Sequence, residues 1–505
     1  MIDVKAQAAK AQVDRAYELI EAGRPAEALS LTSLLVNAPG ASHSVLAAHA
    51  RALKSLARRP EALAFERRAA RENPQSAVAW HNLGATLDDL GQTGEARLAI
   101  DRALALGLDG PETWLVKAHI HLNQLDSPGA AAAYRQVLRR DPTHEAAAQE
   151  LAHLVWVETG DWRQATQPLV DARAAGSRST PVLLLQAKIL EAANQRDGLH
   201  ALLDGAVDQE PDNASFVRAA AHAWLEDDDL EKASMLVERT VRLAPRAAQA
   251  LIELSAIRLA QGRSEDALEA ARLATSVEPL DQSTWGWLAT SARATGDKAY
   301  AELYDYDRFV RPYRIETPDG WPTLEAYLAD LEKSLRVLHR FKVHPADQSL
   351  RQGTQTNVDF AKSDEPAIKA FFKAIDAPIR RYMHEVGAGS DPLRARNTGA
   401  YRIESSWSVL LKPNGFHVNH YHPMGWLSSA FYVRLPSDAL NSDAREGWIK
   451  FGEPPFKTMP AQAPAHFVRP EPGLLVLFPS YMWHGTVPFT TAEDRLTVAF
   501  DVLPF

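Results

Sequence analysis

Apolar positions recur at helical spacing through the first three hundred residues, and the pattern itself repeats. A small residue returns at Ala28, Ala62, Ala96, Ala130, Ala165, Gly198, Ala233, Ala267 and Ala301, at intervals of 33 to 35 residues. Turn signals stand ahead of many of them, as in Glu21-Ala22-Gly23-Arg24, Asp89-Leu90-Gly91-Gln92 and Gln261-Gly262-Arg263. Prolines close many units, at Pro39, Pro74, Pro142, Pro211, Pro245 and Pro279. A period of this length predicts about nine helix–turn–helix units, the fifth and sixth degenerate, stacked into an α-solenoid with a concave surface. The small residue is expected where the two helices of a unit cross closely, since a larger side chain would part them.

The repeat stops at residues 311–322, RPYRIETPDGWP, whose three prolines and glycine read as a boundary. Beyond it, Leu324, Leu328, Leu331 and Leu335 give residues 323–341 the spacing of an amphipathic helix. A second helix is predicted over 366–386, capped by Ser363-Asp364 and interrupted at Pro378. Between them, residues 344–356, HPADQSLRQGTQT, are polar and read as a loop. Short β-prone runs then alternate with turns: 401–411, 416–422, 426–435, 448–451, 466–468, 474–478 and 495–502. Such spacing predicts a jelly-roll of two facing sheets. The expected fold is therefore multidomain α + β: repeats over 1–310, a boundary at 311–322, and a β-domain with flanking helices over 323–505.

Composition removes several function classes. The 505 residues are 46% hydrophobic and 24% charged, as in globular domains. A formal charge of −9 argues against a general nucleic-acid or anionic-membrane binder. The absence of cysteine excludes disulfides, thiolate metal sites and cysteine nucleophiles. The first twenty residues lack the basic start, apolar core and cleavage site of a signal peptide, and no run is apolar enough to span a bilayer. A cytoplasmic location is the default expectation.

The chemistry concentrates in residues 415–433, GFHVNHYHPMGWLSSAFYV. Pro413-Asn414-Gly415 before it reads as a hairpin turn between two β-prone runs. On a strand, positions two apart share a face, so His420 and His422 point together while His417 and Asn419 point away. Two imidazoles on one face make half a metal site. A further histidine, His484, follows the buried run 473–479, and Arg495 and Thr497 share a face of the last strand. Imidazole suits iron, zinc, copper and nickel alike. Two ligand sets stay open: His420, His422 and His484, or His420 and His484 with His422 behind them. His417 is expected to make a structural hydrogen bond. Trp80, Trp114, Trp156 and Trp224 are expected to pack rather than bind.

The order His-x-His, distal His, Arg-x-Thr resembles the double-stranded β-helix dioxygenases that use Fe(II) and 2-oxoglutarate. The stretches SWSVLLKPNGFHVNHYHPMGWLSSAFYV, GWIKFGEPPF and RPEPGLLVLFPSYMWHGTVPF resemble more closely a bacterial group of 2-oxoglutarate/Fe(II)-dependent oxygenases with N-terminal tetratricopeptide repeats. Trp80-His81-Asn82-Leu83-Gly84 matches the start of the tetratricopeptide pattern. The resemblance covers roughly residues 343–505 and departs from the superfamily at His422, where Asp or Glu is usual. It implies iron held by the histidines and the outer carboxylate of 2-oxoglutarate held by Arg495 with Thr497. It also implies oxidative decarboxylation of that cosubstrate to succinate and carbon dioxide, coupled to hydroxylation of a substrate C–H bond. The repeats make a peptide or protein side chain the expected substrate, with Arg351 and Gln355 of the polar loop as candidate substrate contacts. Two rival readings remain, a cupin-like metalloenzyme and a repeat scaffold with a vestigial metal site. Cupins carry a Glu soon after His-x-His, where Gly425, Trp426, Leu427 and Ser428 stand here.

Overall fold

The computed structural model describes residues 2–37, 41–356, 360, 363–436 and 444–505, with backbone alone for 2–8. Pro39, one of the unit-closing prolines, lies outside them. The chain forms two compact units, one of residues 1–154 with 167–179 and one of 155–166 with 180–505. No described helix is long and apolar enough to cross a membrane.

The first unit consists of helix pairs such as His43–Ser55 with Arg59–Glu72 and Ala77–Asp89 with Thr93–Ala105. Ser42, Ser76 and Asp126 cap helices by accepting from Val45, Ala79 and Gly129 N–H groups, as short oxygen-bearing side chains do at a helix start. Ala28, Ala62, Ala96 and Ala130 are fully buried, as a close helix crossing requires. Gly84 shows the constraint at its tightest, since a Cβ there would lie 2.6 Å from Ile100.

Glu66 interrupts this apolar packing. It is 1% exposed, one of its oxygens has no partner, and Lys54 Nζ stands 3.6 Å from the other. Burial raises its pKa from 4.5 to about 7, against the opposing pull of Lys54. The folded state therefore holds a proton that the unfolded state has released, and stability falls as pH rises from about 4.5 to about 7. Glu66→Gln is expected to remove that slope and to stabilise this unit by roughly 2–4 kcal/mol above pH 7. Denaturant titrations at pH 5 and pH 8 on wild type and variant check it; parallel pH profiles would contradict it.

The second unit joins helices from Thr180–Ala192 to Gln282–Thr295 with a β-fold. Ala165, Ala233 and Ala267 are again fully buried, whereas Gly198 and Ala301 are exposed. At Gly198 the neighbouring Leu199 takes the buried place, and Ala301 stands on the exposed side of a helix of five residues, Ala299–Leu303.

Among the described residues nine strands follow: β1 Arg311–Arg314, β2 Leu350–Gln355, β3 Tyr401–His417, β4 Leu427–Arg434, β5 Ile449–Phe451, β6 His466–Val468, β7 Leu474–Pro479, β8 His484–Thr486 and β9 Arg495–Pro504. They form a six-stranded sheet, β1-β7-β4-β9-β3-β2, and a three-stranded sheet, β6-β5-β8, all antiparallel. The fold class is multidomain α + β, with helical repeats followed by antiparallel sheets of jelly-roll type.

Several expectations need correction. The segment read as a boundary supplies edge strand β1, so one core runs from Trp287 and Phe309 through Tyr327 and Phe371 to Phe431 and Phe500. The polar loop supplies β2, whose pairing to β3 holds it despite its few apolar residues. Pro413-Asn414-Gly415 is no hairpin: both flanks pair with β2, and Asn414 (φ 64°) sits in a bulge within β3. The helix expected over 323–341 is Leu324–Arg336. The one over 366–386 is interrupted as Pro378 predicts, at Ile375, because a proline ring clashes with the carbonyl four residues before it, here that of Ala374; only its N-cap differs, Glu365 in place of Ser363-Asp364.

Candidate functional site

The centre is built where the two sheets meet. After β3 the chain leaves the large sheet and forms an isolated bridge with the start of β8. His420 N–H donates to His484 O and His484 N–H to His420 O, both at 2.9 Å, and His422 N–H donates to Ser480 O at 2.9 Å. Residues exchanging both bonds across an antiparallel pair project their side chains to the same side. The ligand-capable nitrogens of His420, His422 and His484 consequently lie within 4.8 Å of one another. They do so from a loop and a strand start rather than from the continuous strand expected over 416–422.

Each ring is held by its Nδ1. That of His420 lies 2.8 Å from Val418 O, that of His484 2.9 Å from Met482 O, and that of His422 2.6 Å from an Asp501 carboxylate oxygen. These oxygens accept only, so every Nδ1 carries a proton and Nε2 is the ligand-capable nitrogen of each ring. Burial pushes the His420 pKa down to about 3 and holds His484 well below the usual range, leaving both rings neutral. Three imidazoles with oriented rings and convergent Nε2 atoms fit a divalent transition metal. His417 instead bonds Ser349 Oγ through its Nδ1 at 3.0 Å, the structural role expected of it, and Asn419 bonds Glu453 and Pro454.

The three histidines line a cavity of about 520 Å³ whose walls include Gln355, Trp407, Arg495, Thr497 and Asp501. Arg495, Thr497 and Asp501 stand at alternate positions of β9 and share its inner face. Arg495 is 3% exposed; its Nη1 donates to Thr486 Oγ1 at 3.2 Å, its carbon lies 5.2 Å from the Tyr432 ring centre, and its Nε has no partner. Among the described residues no carboxylate pairs with it. Burial lowers its pKa from the ordinary arginine value, the direction expected of a desolvated cation. Thr497 Oγ1 reaches only Val409 O, at 3.5 Å.

Gln355 lines the cavity, but Arg351 does not share its setting. Its Nη1 donates to the Gln348 and Leu350 carbonyls, and the Glu191 and Glu226 charges of the repeats act on it. The left-handed backbone of Gln352 (φ 55°), opposite the β3 bulge, breaks the alternation that would have placed Arg351 and Gln355 on one face. Sequence reasoning missed Asp501 and Thr486. The period of two counted on from Arg495 would have found Asp501. Trp156, expected to pack, is buried and donates Nε1–H to His344 O at 2.8 Å.

Residues 405–501 match the family model described as "Putative 2OG-Fe(II) oxygenase". The C-terminal region carries the domain of that family. The matched stretch holds the three histidines, Arg495, Thr497 and Asp501. No curated protein matches the chain. Among solved structures, a tetratricopeptide repeat protein from Parabacteroides merdae is similar at 17% identity and a TM-score of 0.35, covering 56% of this chain and 99% of its own. The C-terminal part of a TPR repeat-containing protein from Cytophaga hutchinsonii is similar at 14% identity and a TM-score of 0.38, covering 48% and 99%.

The geometry separates the histidines into two classes. His484→Ala is expected to abolish stoichiometric Co(II) binding, because it removes one of three convergent Nε2 atoms. His417→Ala is expected to leave the stoichiometry intact. Co(II) titration followed by visible absorption checks both; loss of binding in His417→Ala alone would invert the assignment.

Proposed function

We propose that the chain is a 2-oxoglutarate- and Fe(II)-dependent oxygenase that hydroxylates a peptide or protein side chain. The observation that carries this reading is one cavity walled by three convergent imidazole Nε2 atoms and by a buried guanidinium with no anionic partner. A buried cation left unpaired is costly, and an anionic ligand offsets that cost by completing its hydrogen bonds.

In this reading His420, His422 and His484 hold the metal. When bound, the metal supplies the oxygen activation that no side chain here can perform. The chain supplies the rest. Arg495 offers its fork of donors to the outer carboxylate of 2-oxoglutarate, with the hydroxyls of Thr497 and Thr486 beside it. Trp407 and Val409 wall the cavity with apolar surface and keep water from the reacting atoms. Gln355 is the substrate contact we assign within the cavity; Arg351, set against the repeats, acts on substrate approaching along them. The division of labour follows: repeats over 1–310 present the polypeptide, and residues 323–505 carry the chemistry. Helical-repeat surfaces suit an extended peptide.

Arg495→Ala is expected to weaken 2-oxoglutarate affinity about ten- to hundredfold. A hydrogen bond to a charged group is worth about 1.5–3 kcal/mol, and about 1.4 kcal/mol is one decade. Arg495→Lys should keep part of the affinity through charge while losing the fork. Metal stoichiometry should be unchanged in both. Calorimetric titration of 2-oxoglutarate into metal-loaded wild type and variants decides it. Equal affinities, or no binding by the loaded wild type, would favour the cupin-like alternative.

A further inference from the structure

The three imidazoles are alike in what they offer a metal and unlike in what stands behind them. His420 and His484 donate their Nδ1–H to the neutral backbone carbonyls of Val418 and Met482. His422 donates to a carboxylate, Asp501 Oδ1, at 2.6 Å. It is also the one ligand candidate standing where the superfamily resemblance expects a carboxylate.

The setting of Asp501 is built rather than incidental. The carboxylate and His422 are each 14% exposed. The same oxygen accepts from Ser428 Oγ at 2.7 Å, and Ser428 is bonded to Ser480 Oγ at 2.9 Å. Ser480 in turn receives the His422 backbone N–H on its carbonyl, at 2.9 Å. Gly425 leaves the room this needs: a Cβ there would collide with Ser480 Oγ and come within 3.5 Å of Asp501 Cγ. The backbone and side chain of His422 are therefore fixed through one small network that ends on a single negative charge.

We propose that Asp501 is a positioning residue that delivers to the metal, through His422, the negative charge a carboxylate ligand would supply directly. This rests on the metal-site reading above. A hydrogen-bonded carboxylate fixes the tautomer of a ligating histidine, orients its ring and makes the far nitrogen a stronger donor. His422 and Asp501 act together as one composite anionic ligand, while His420 and His484 act as neutral ones. The positive charge of a three-imidazole centre is thereby lowered without a carboxylate in direct contact with the metal.

Charge and geometry are separable by substitution. Asp501→Asn can keep an oxygen facing His422 Nδ1 but carries no charge, and Asp501→Leu removes both. Asp501→Asn is expected to weaken Co(II) binding about ten- to hundredfold, the usual effect of losing such a partner, with the melting temperature of the metal-free protein unchanged. Asp501→Leu should weaken it at least as much. In the His422→Asp background the sign should reverse. A carboxylate ligand already supplies the charge there, Asp501 opposes it as a neighbouring like charge, and adding Asp501→Asn should strengthen binding.

Co(II) titration with parallel melting of the metal-free forms measures all of this. Unchanged Co(II) affinity in Asp501→Asn overturns the proposal, as does an equal loss in both backgrounds accompanied by a lowered melting temperature, which would make Asp501 merely structural. Should the His422→Asp forms not fold, Asp501→Glu takes their place. Recovery of affinity over Asp501→Asn supports a charge effect, and no recovery overturns it. A wild type that binds no Co(II) would instead remove the metal-site reading itself.

Discussion

Two backbone hydrogen bonds carry the candidate centre. The reciprocal pair between His420 and His484, both 2.9 Å, ties the chain leaving the six-stranded sheet to the first residue of a strand in the three-stranded one. Convergence of the imidazoles is thus a property of register: slipping the pairing by one residue would turn a ring to the other side. The same closeness dictates Gly485, where a Cβ would lie 2.5 Å from Asn419 Oδ1 and 3.0 Å from His417 O. Side-chain chemistry then acts on a geometry already set, as each Nδ1 finds an acceptor and each Nε2 is left free.

Electrostatics completes what register begins. Burial holds His417, His420 and His484 below the usual imidazole range, so the rings gather without mutual repulsion. Arg495 remains a buried cation on the same wall, and Asp347 and Asp501 are the carboxylates among the lining residues. Asp501 is engaged with His422, and among the described residues no carboxylate pairs with Arg495. On the function proposed above, such a cavity favours a dicarboxylate over a neutral ligand of the same size. That preference follows from residues of three separate strand regions and not from any one of them.

The sequence was most legible where a period repeats and least where pairing is non-local. The small residues of the first unit follow the 34-residue recurrence closely, and they are buried because helix crossings recur with it. The order of His420, His422, His484 and Arg495 was readable because each stands in a distinctive run. Strand β2 was not, since Leu350–Gln355 is polar and owes its conformation to its partner β3. Asn414-Gly415 misled for a related reason. A left-handed residue is needed equally by a hairpin and by a bulge, and only the neighbouring strand distinguishes them. Asp501 was hidden by distance in sequence, as its meaning depends on His422, 79 residues earlier.

The last repeat is part of the foundation of the site. Tyr421, set between two ligand candidates, packs its ring 4.5 Å from that of Trp483. Trp483 donates Nε1–H to Thr290 Oγ1 at 2.8 Å and meets the Trp287 ring at 5.1 Å, both residues of helix Gln282–Thr295. The first residue of that helix donates its backbone N–H to Pro423 O at 3.0 Å, one residue past His422. Tyr304 adds a further tie, donating its hydroxyl to Tyr481 O at 3.1 Å and accepting from Trp483 N–H at 2.9 Å. Gly286 lets the helix come this near, for a Cβ there would meet Tyr481 O at 2.8 Å. The loop that bears His420 and His422 is therefore held from outside by a helix of the repeat array. Packed interiors transmit displacement rather than absorb it. Trp483 and Pro423 are the contacts through which this helix supports the loop of the histidines.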